Sequence, residues 1–135
     1  MVQERLDRNL LGCSFAIVLA ELTMNNENIG TVRLYGPNHD YFCWGSWILK
    51  DNIPSFYSIE SALIVYTFAL NLGFKHSYFT VDKGNESVWK FHEKFGAHRT
   101  NENEREYYYE IDYNNIINSL NRYKKYLPNE ILISF

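Results

Sequence analysis

The sequence predicts one mixed α/β domain, an α+β arrangement in which antiparallel hairpins surround a strand–helix–strand–helix unit. Strand-like segments rich in β-branched and aromatic residues alternate with two segments whose apolar residues recur at helical spacing. A length of 135 residues suits a single core, so we assign residues 1–135 to one domain. An apolar fraction of 46%, with 17% aromatic residues, excludes a disordered chain.

Three strand-like segments predict the first half of the sheet. Residues 15–20 are apolar, residues 29–35 alternate, and the Asn-rich turn at 25–28 between them predicts a hairpin. Residues 41–49 form an aromatic segment that turn residues and Pro54 terminate, which predicts a central strand.

The first helix is predicted from apolar residues that recur at helical spacing between positions 59 and 70. Ser58 is placed to cap its start and Gly73 to end it. A short strand at 77–81 follows, and a right-handed crossover is expected to connect it to the end of the central strand at 47–49. The sheet is therefore predicted to be mixed.

A second helix is predicted after Asn85, which is placed to cap it, and before Gly96, which is placed to end it. Its inward residues are predicted to be Val88, Phe91 or His92, and Phe95. Residues 98–100 and 106–111 predict a late hairpin, and residues 113–126 a last helix. A terminal strand or tail is expected at 131–135.

Charge and cysteine content exclude several function classes. The formal net charge of −3 leaves no basic field for a nucleic-acid backbone or an anionic membrane. The longest apolar run, at 15–20, is too short to cross a bilayer. Cys13 and Cys43 show no disulfide or zinc spacing, and the four His have no carboxylate at metal-ligand spacing. We therefore expect a cytoplasmic protein without a metal, a nucleic-acid partner or a membrane segment.

The segment from 81 to 97 carries a resemblance to a known family. It reads Val-Asp-Lys-Gly-Asn-Glu-Ser-Val-Trp-Lys-Phe-His-Glu-Lys-Phe-Gly-Ala, and from about 29 to 111 the chain resembles the GNAT acetyltransferase superfamily. Members carry an Asn after the fifth strand, a Tyr seven residues later and a Gly-Phe pair four residues beyond. Asn85, His92 and the pair Gly96–Ala97 stand at those positions. The segment most resembles acyltransferases of surface-polysaccharide amino-sugar pathways.

This resemblance implies acetyl-CoA as co-substrate, with its pantetheine arm bonded to the fourth strand and its pyrophosphate at the N-terminus of the next helix. The implied cofactor-binding residues are Trp47, Ile48, Leu49, Phe56, Tyr57, Ser58, Ile59, Ser61 and Asn85. The helix-start loop departs from the family pattern, because Ser58 and Glu60 replace its small residues. Glu60 is expected in the first helical turn, where a carboxylate aimed at a diphosphate would repel it.

By the same resemblance, His92 replaces the Tyr that protonates the departing thiolate, so we predict it as the general acid. An imidazole could act as a cation or as a neutral N–H donor, and the alternative is a core histidine bonded to a backbone carbonyl. For the base, Glu60, His39, Asp40 and a bound water remain open. Trp44, Ser46 and Tyr108 are candidates for acceptor binding, although strand aromatics more often serve packing.

The N-terminus is short for this family, since only residues 1–14 precede the first predicted hairpin. Residues 5–11 suit one short helix, so the N-terminal strand and helix are expected to be shortened and the first strand missing. A missing edge strand favours a homodimer.

Three functions follow in order of preference. The first is an N-acetyltransferase that moves an acetyl group from acetyl-CoA to a primary amine of a small molecule by direct attack, with a nucleotide-linked amino sugar as one candidate. The second is a catalytically idle GNAT-like module that binds CoA or a protein. The third is an unrelated α/β interaction protein.

Overall fold

Seven strands form one mixed sheet in the computed structural model of the chain, which describes residues 2–6, 18–24 and 27–127. The strands are β1 (Val2–Leu6), β2 (Val18–Met24), β3 (Glu27–Asn38), β4 (Tyr41–Leu49), β5 (His76–Asp82), β6 (His98–Glu102) and β7 (Glu106–Ile111). The helices are α1 (Phe56–Asn71), α2 (Glu86–Phe95) and α3 (Tyr113–Arg122). The strand order is β1-β2-β3-β4-β5-β7-β6, and β4–β5 is the parallel pair among antiparallel neighbours. The mixed α/β prediction is confirmed.

Both predicted hairpins are present. Strand β2 pairs antiparallel with β3 from Val18 opposite Leu34 to Met24 opposite Glu27, so the first hairpin lies later along the chain than its apolar run suggested. Positions 15–17 and the turn residues 25–26 lie outside the described residues. The late hairpin is formed by β6 and β7. The central strand β4 has the predicted bounds.

The start of α1 differs from the prediction. Ser55 occupies the N-cap position, so Ser58 is the third residue of the helix and does not cap it. Consequently Glu60 is the fifth helical residue, and the first turn contains no acidic residue. Sequence reasoning placed the start too late because Phe56 and Tyr57 precede the regular apolar stripe. Gly73, at φ +95°, follows the helix as predicted.

Helix α2 begins and ends where expected, but its start is stabilised differently. Asn85 holds the N-cap position without a side-chain capping bond; its backbone carbonyl accepts from the Val88 and Trp89 amides. His92 and Phe95 are the buried residues of the helix. Gly96 ends it in the left-handed region, at φ +114°.

The last helix is shorter than predicted. Helix α3 ends at Arg122, and a 3-10 turn (Lys124–Tyr126) replaces its final turn. Its start is capped by Asp112, whose carboxylate accepts from the Asn115 amide at 2.8 Å. The tail expected at 131–135 lies outside the described residues.

The expectation that the first strand is missing is wrong. Val2–Leu6 forms a short strand that pairs along its five residues with β2. The helix proposed for 5–11 is wrong at positions 5 and 6, which belong to that strand, and positions 7–11 lie outside the described residues. A missing edge at this place therefore no longer supports a homodimer, which stays a prediction.

Helices α1 and α2 pack on the same face of the sheet. The Tyr66 ring of α1 stacks on Phe95 of α2 with centroids 5.4 Å apart, and both helices contact Trp44 of β4. Since Leu34 pairs with Trp44 and Tyr35 pairs with Cys43, strand alternation directs Tyr35 and Cys43 to the opposite face. We call the two surfaces the helical face and the far face.

Candidate active site

Strands β4 and β5 separate after a short paired end. Their parallel pairing is limited to Tyr41 opposite His76 and Phe42 opposite Ser77. Beyond these pairs lies a cleft of about 180 Å³. It is lined by residues of β4, β5 and the start of α2, namely Trp44, Gly45, Ser46, Trp47, Phe79, Thr80, Val81, Asp82, Asn85, Val88 and His92. The backbone of β4 therefore has no neighbouring strand on its β5 side along the cleft.

A β-bulge shapes the β4 wall of the cleft. Thr31 pairs with Ile48 but Arg33 pairs with Gly45, so three steps on β4 oppose two on β3. Ser46 within the bulge has φ +48°, in the left-handed region that non-glycine residues rarely adopt. The extra residue brings Trp47 onto the helical face, where its ring lies 5.3 Å from that of Trp44.

The indoles of the cleft are fixed by hydrogen bonds to α1. Trp44 Nε1 donates to the Tyr66 hydroxyl at 3.2 Å, and Trp47 Nε1 donates to Ser61 Oγ at 3.1 Å. Ser61 in turn donates to the Ser58 carbonyl at 2.9 Å. Each of the two indole N–H groups thus has a hydrogen-bond acceptor within the protein. The faces of the two rings remain as the apolar lining of the cleft.

His92 lies inside this aromatic lining and is only 5% exposed. Its ring centroid is 4.2 Å from that of Phe79 and 5.2 Å from that of Trp44. Burial lowers the pKa of His92 to about 3, so the imidazole is neutral at pH 7. The lowered pKa favours the neutral N–H donor over the imidazolium acid at neutral pH.

The alternative of a core histidine bonded to a backbone carbonyl also finds no support. The His92 imidazole is a cleft-lining group whose contacts with described residues are ring contacts with Trp44, Trp47, Phe79 and Phe91. A neutral imidazole retains one donor and one acceptor.

The predicted pyrophosphate site lies at the start of α1. The amides of Tyr57 and Ser58 donate to the carbonyls of Pro54 and Ser55, each at 3.1 Å. Phe56 is 39% exposed, and the side chain of Ser61 is turned toward β4. The Tyr57 and Ser58 amides are thus bonded to the preceding turn, the first turn of the helix contains no carboxylate, and the helix start contributes no residue to the lining of the cleft between the strands.

The other predicted cofactor-binding residues differ in where they lie relative to the cleft. Trp47 and Asn85 line the cleft, and the Asn85 side chain forms no capping bond. Ile48 and Leu49 lie beyond the cleft lining, with Ile48 64% exposed and Leu49 paired with Gly30. Ile59 is half-buried within α1.

The base candidates do not reach the cleft. Glu60 is half-buried on α1, where burial raises the pKa of its carboxyl. His39 is exposed in the β3–β4 turn, and Asp40 beside it lies 3.6 Å from His76 Nε2. Asp82, the one carboxylate among the described cleft-lining residues, accepts a 2.7 Å bond from the Gly84 amide.

The acceptor-binding candidates are also separated. Trp44 and Ser46 line the cleft. Tyr108 of β7 is 37% exposed and pairs with Thr80; its hydroxyl accepts from Asn103 Nδ2 at 3.1 Å. It therefore lies one strand away from the cleft lining.

Sequence reasoning missed six residues of the lining: Gly45, Phe79, Thr80, Val81, Asp82 and Val88. Four of them belong to β5, from which no binding residue was predicted. The alternation of apolar residues does not predict where two parallel strands stop pairing, which here occurs after two residue pairs. Of the missed residues, Val88 could have been predicted, because it lies between Asn85 and His92 on the same helix.

Metal and membrane features are absent from the described part of the chain. Among those residues, no three His, Cys, Asp or Glu side chains cluster as metal ligands. None of the described helices combines the length and apolarity required to cross a bilayer.

Comparison with solved structures finds close agreement in fold. The structure superposes on apo FdhC, described as a nucleotide-linked sugar GNAT, with a TM-score of 0.78 and 34% identity, covering 90% of this chain and 70% of FdhC. A GNAT-family acetyltransferase from Bacillus anthracis gives a TM-score of 0.61 and 17% identity over 73% of this chain and 66% of that protein. No protein-family model and no curated protein matches the sequence.

A third similar structure was solved with a ligand. The Campylobacter jejuni N-acetyltransferase PseH in complex with acetyl coenzyme A gives a TM-score of 0.62 and 17% identity, covering 78% of this chain and 73% of PseH. At this identity the likeness concerns the fold. The FdhC match has both the identity and the coverage that relate two chains as family members.

Proposed function

The chain belongs to the GNAT acetyltransferase family, and we propose that it transfers an acetyl group from acetyl-CoA to a primary amine of a small molecule. The observation that carries this proposal is the cleft between β4 and β5, with neutral His92 in its lining. We propose a nucleotide-linked amino sugar as the acceptor, in line with the 34% identical FdhC.

The cleft residues suit the pantetheine arm of acetyl-CoA. Trp44, Trp47 and Val88 provide apolar walls, and the unpaired side of β4 offers backbone groups to an extended amide chain. Asn85 adds an uncommitted side-chain amide at the cleft. The start of α1 offers a favourable helix dipole for the pyrophosphate, and Glu60 lies beyond its first turn.

The proposed chemistry is direct attack by a neutral amine. The thioester of acetyl-CoA supplies the activated acetyl group, and the residues of the chain align it and exclude water. His92, as a neutral imidazole, would donate its N–H to the departing sulfur and stabilise the thiolate. With a pKa of about 3, His92 would not supply a proton from its cationic form at neutral pH.

The base is the least supported role. Glu60 remains our prediction because burial raises the pKa of its carboxyl, which makes a stronger base than an exposed glutamate. It lies outside the cleft lining, however, so a water would have to connect it to the amine.

Two measurements test the proposal. Calorimetric titration with acetyl-CoA and with desulfo-CoA should show saturable binding of both, with dissociation constants in roughly the 1 μM–1 mM range common for enzyme substrates. A thiol-release assay with free and nucleotide-linked amino sugars then identifies the acceptor. Absence of CoA binding would refute the proposal, and binding without turnover of any amine would favour an idle CoA-binding module.

A further inference from the structure

Arg33 is an unusual charge on the far face of the sheet. It lies in the middle of β3 and is half-buried, and its Nε is fully buried without a hydrogen-bond partner. Over residues 27–127, where side chains are described, five ion pairs are present and none includes Arg33. Its described interaction is with the Tyr35 ring, whose centroid lies 4.5 Å from the guanidinium carbon.

Such a group is costly in a folded protein. A guanidinium stays protonated at any physiological pH, so it cannot avoid the cost of burial by losing its charge. A partly desolvated cation with an unsatisfied N–H destabilises the fold unless an anion compensates it. A cation–π contact recovers less free energy than a charge-assisted hydrogen bond to an anion does.

The position of Arg33 links it to the cleft. Its partner on β4 is Gly45, which lines the cleft. The Tyr35 hydroxyl lies next to this glycine, since a Cβ built there would be 3.4 Å from it. The Tyr35 hydroxyl is close enough to Arg33 and Cys43 for both to affect its pKa, which burial raises to about 12, so it is a neutral donor. Arg33 and Tyr35 thus lie on the far face, one strand from the cleft and beside Gly45 of its lining.

We propose that Arg33, with the Tyr35 hydroxyl, binds a phosphate oxyanion of the acceptor on the far face, while acetyl-CoA occupies the helical face. This inference rests on the proposed function, since it specifies the acceptor as a phosphate-bearing molecule. The terminal nitrogens of a guanidinium match a phosphate with two parallel bonds, and the anion balances a charge for which the residues at 27–127 provide no ion pair. The nucleoside diphosphate of a nucleotide-linked amino sugar has this chemistry.

The test uses the full chain and its Arg33→Gln variant, each saturated with CoA so that the pyrophosphate site on α1 is occupied. Titration with UDP and dTDP should show binding that is at least about tenfold weaker in Arg33→Gln, as expected for the loss of a charge-assisted bond. Uridine and thymidine should bind the two proteins equally. Arg122→Gln, which removes the same charge from the exposed side of α3, should behave as wild type.

Two further readouts distinguish this inference from a structural role and from the proposed function. If Arg33 lacks a partner in the free protein, Arg33→Gln should unfold at the same or a higher Tm; a lower Tm by several degrees would reveal a structural ion pair and overturn the inference. Equal UDP affinity in wild type and Arg33→Gln would also overturn it while leaving CoA binding intact. Failure of CoA binding itself would instead overturn the proposed function.

Discussion

The two faces of the sheet differ in whether they carry a positively charged side chain beside the cleft. On the helical face, packing against aromatic rings leaves His92 5% exposed and lowers its pKa to about 3, so this side chain is neutral. On the far face, Arg33 remains charged and half-buried beside Gly45. A low-dielectric face suits a neutral thioester arm, whereas a face with a cation that forms no ion pair with the side chains described at 27–127 suits an anionic acceptor. The cleft between β4 and β5 is where the two environments meet.

The largest effect is expected from closing the cleft on the helical face. Val88 is half-buried on α2 and lines the cleft, so Val88→Trp should fill the space intended for the pantetheine arm. We expect calorimetric binding of acetyl-CoA to be lost, whereas Arg33-dependent binding of UDP should persist. The control is Lys90→Trp, which places the same ring on the exposed side of that helix. Wild-type acetyl-CoA affinity in Val88→Trp would mean that the cofactor does not use this cleft.

The second prediction concerns the neutral donor. His92→Phe keeps an aromatic ring among Phe79 and Trp44 but removes the N–H, so kcat should fall by about a hundredfold with little change in the KM for acetyl-CoA. His92→Gln keeps an N–H donor and should retain part of the activity. Thiol release measures both variants. The pH profile of wild-type kcat should show no inflection from His92 near 6.5; an unchanged kcat in folded His92→Phe would contradict the assigned role.

The burial of His92 also predicts how stability depends on pH. Its folded-state pKa of about 3 lies below the unfolded value, so the unfolded chain binds the proton more readily between these two values. Stability contributed by this group is therefore present above pH 6.5 and is lost as the pH falls. The loss amounts to about 2 kcal/mol between pH 7 and pH 5.

Urea unfolding of wild type and His92→Phe at pH 7 and pH 5 isolates this contribution, because all other titrating groups are shared. The free energy of unfolding should decrease more in wild type than in the variant. Equal decreases would mean that His92 is protonated in the native state at pH 5, and the contrast between the two faces would be lost.

The sequence was sufficient for most elements of the fold, with β1 as the exception, and insufficient for the geometry between them. The bounds of β4 and the ends of α2 follow from alternation and from Gly96, which are local signals. The separation of β4 from β5 depends on long-range packing of Trp44 and Trp47 against α1. Local patterns carry no information about such packing.

The charge state of the site residues could not be predicted from the sequence either. His92 was placed on the inward face of its helix from spacing alone, yet its neutrality depends on rings from β4, β5 and α2. Arg33 attracted no attention because an Arg within an alternating strand usually faces solvent. Its lack of a described carboxylate partner becomes visible when side-chain positions are known.

The smallest predicted effect concerns the β-bulge of β4 at Ser46. Ser46 is exposed and adopts φ +48°, so its Cβ imposes a cost that glycine would avoid. Glycine also has a higher conformational entropy in the unfolded chain, which offsets part of this gain. The net effect of Ser46→Gly should be a free energy of unfolding that is higher by about 0.5–1 kcal/mol. Ser46→Ala keeps the Cβ and should give no gain in urea unfolding. If glycine were destabilising instead, the Ser46 hydroxyl would be needed to hold the bulge that turns Trp47 onto the helical face.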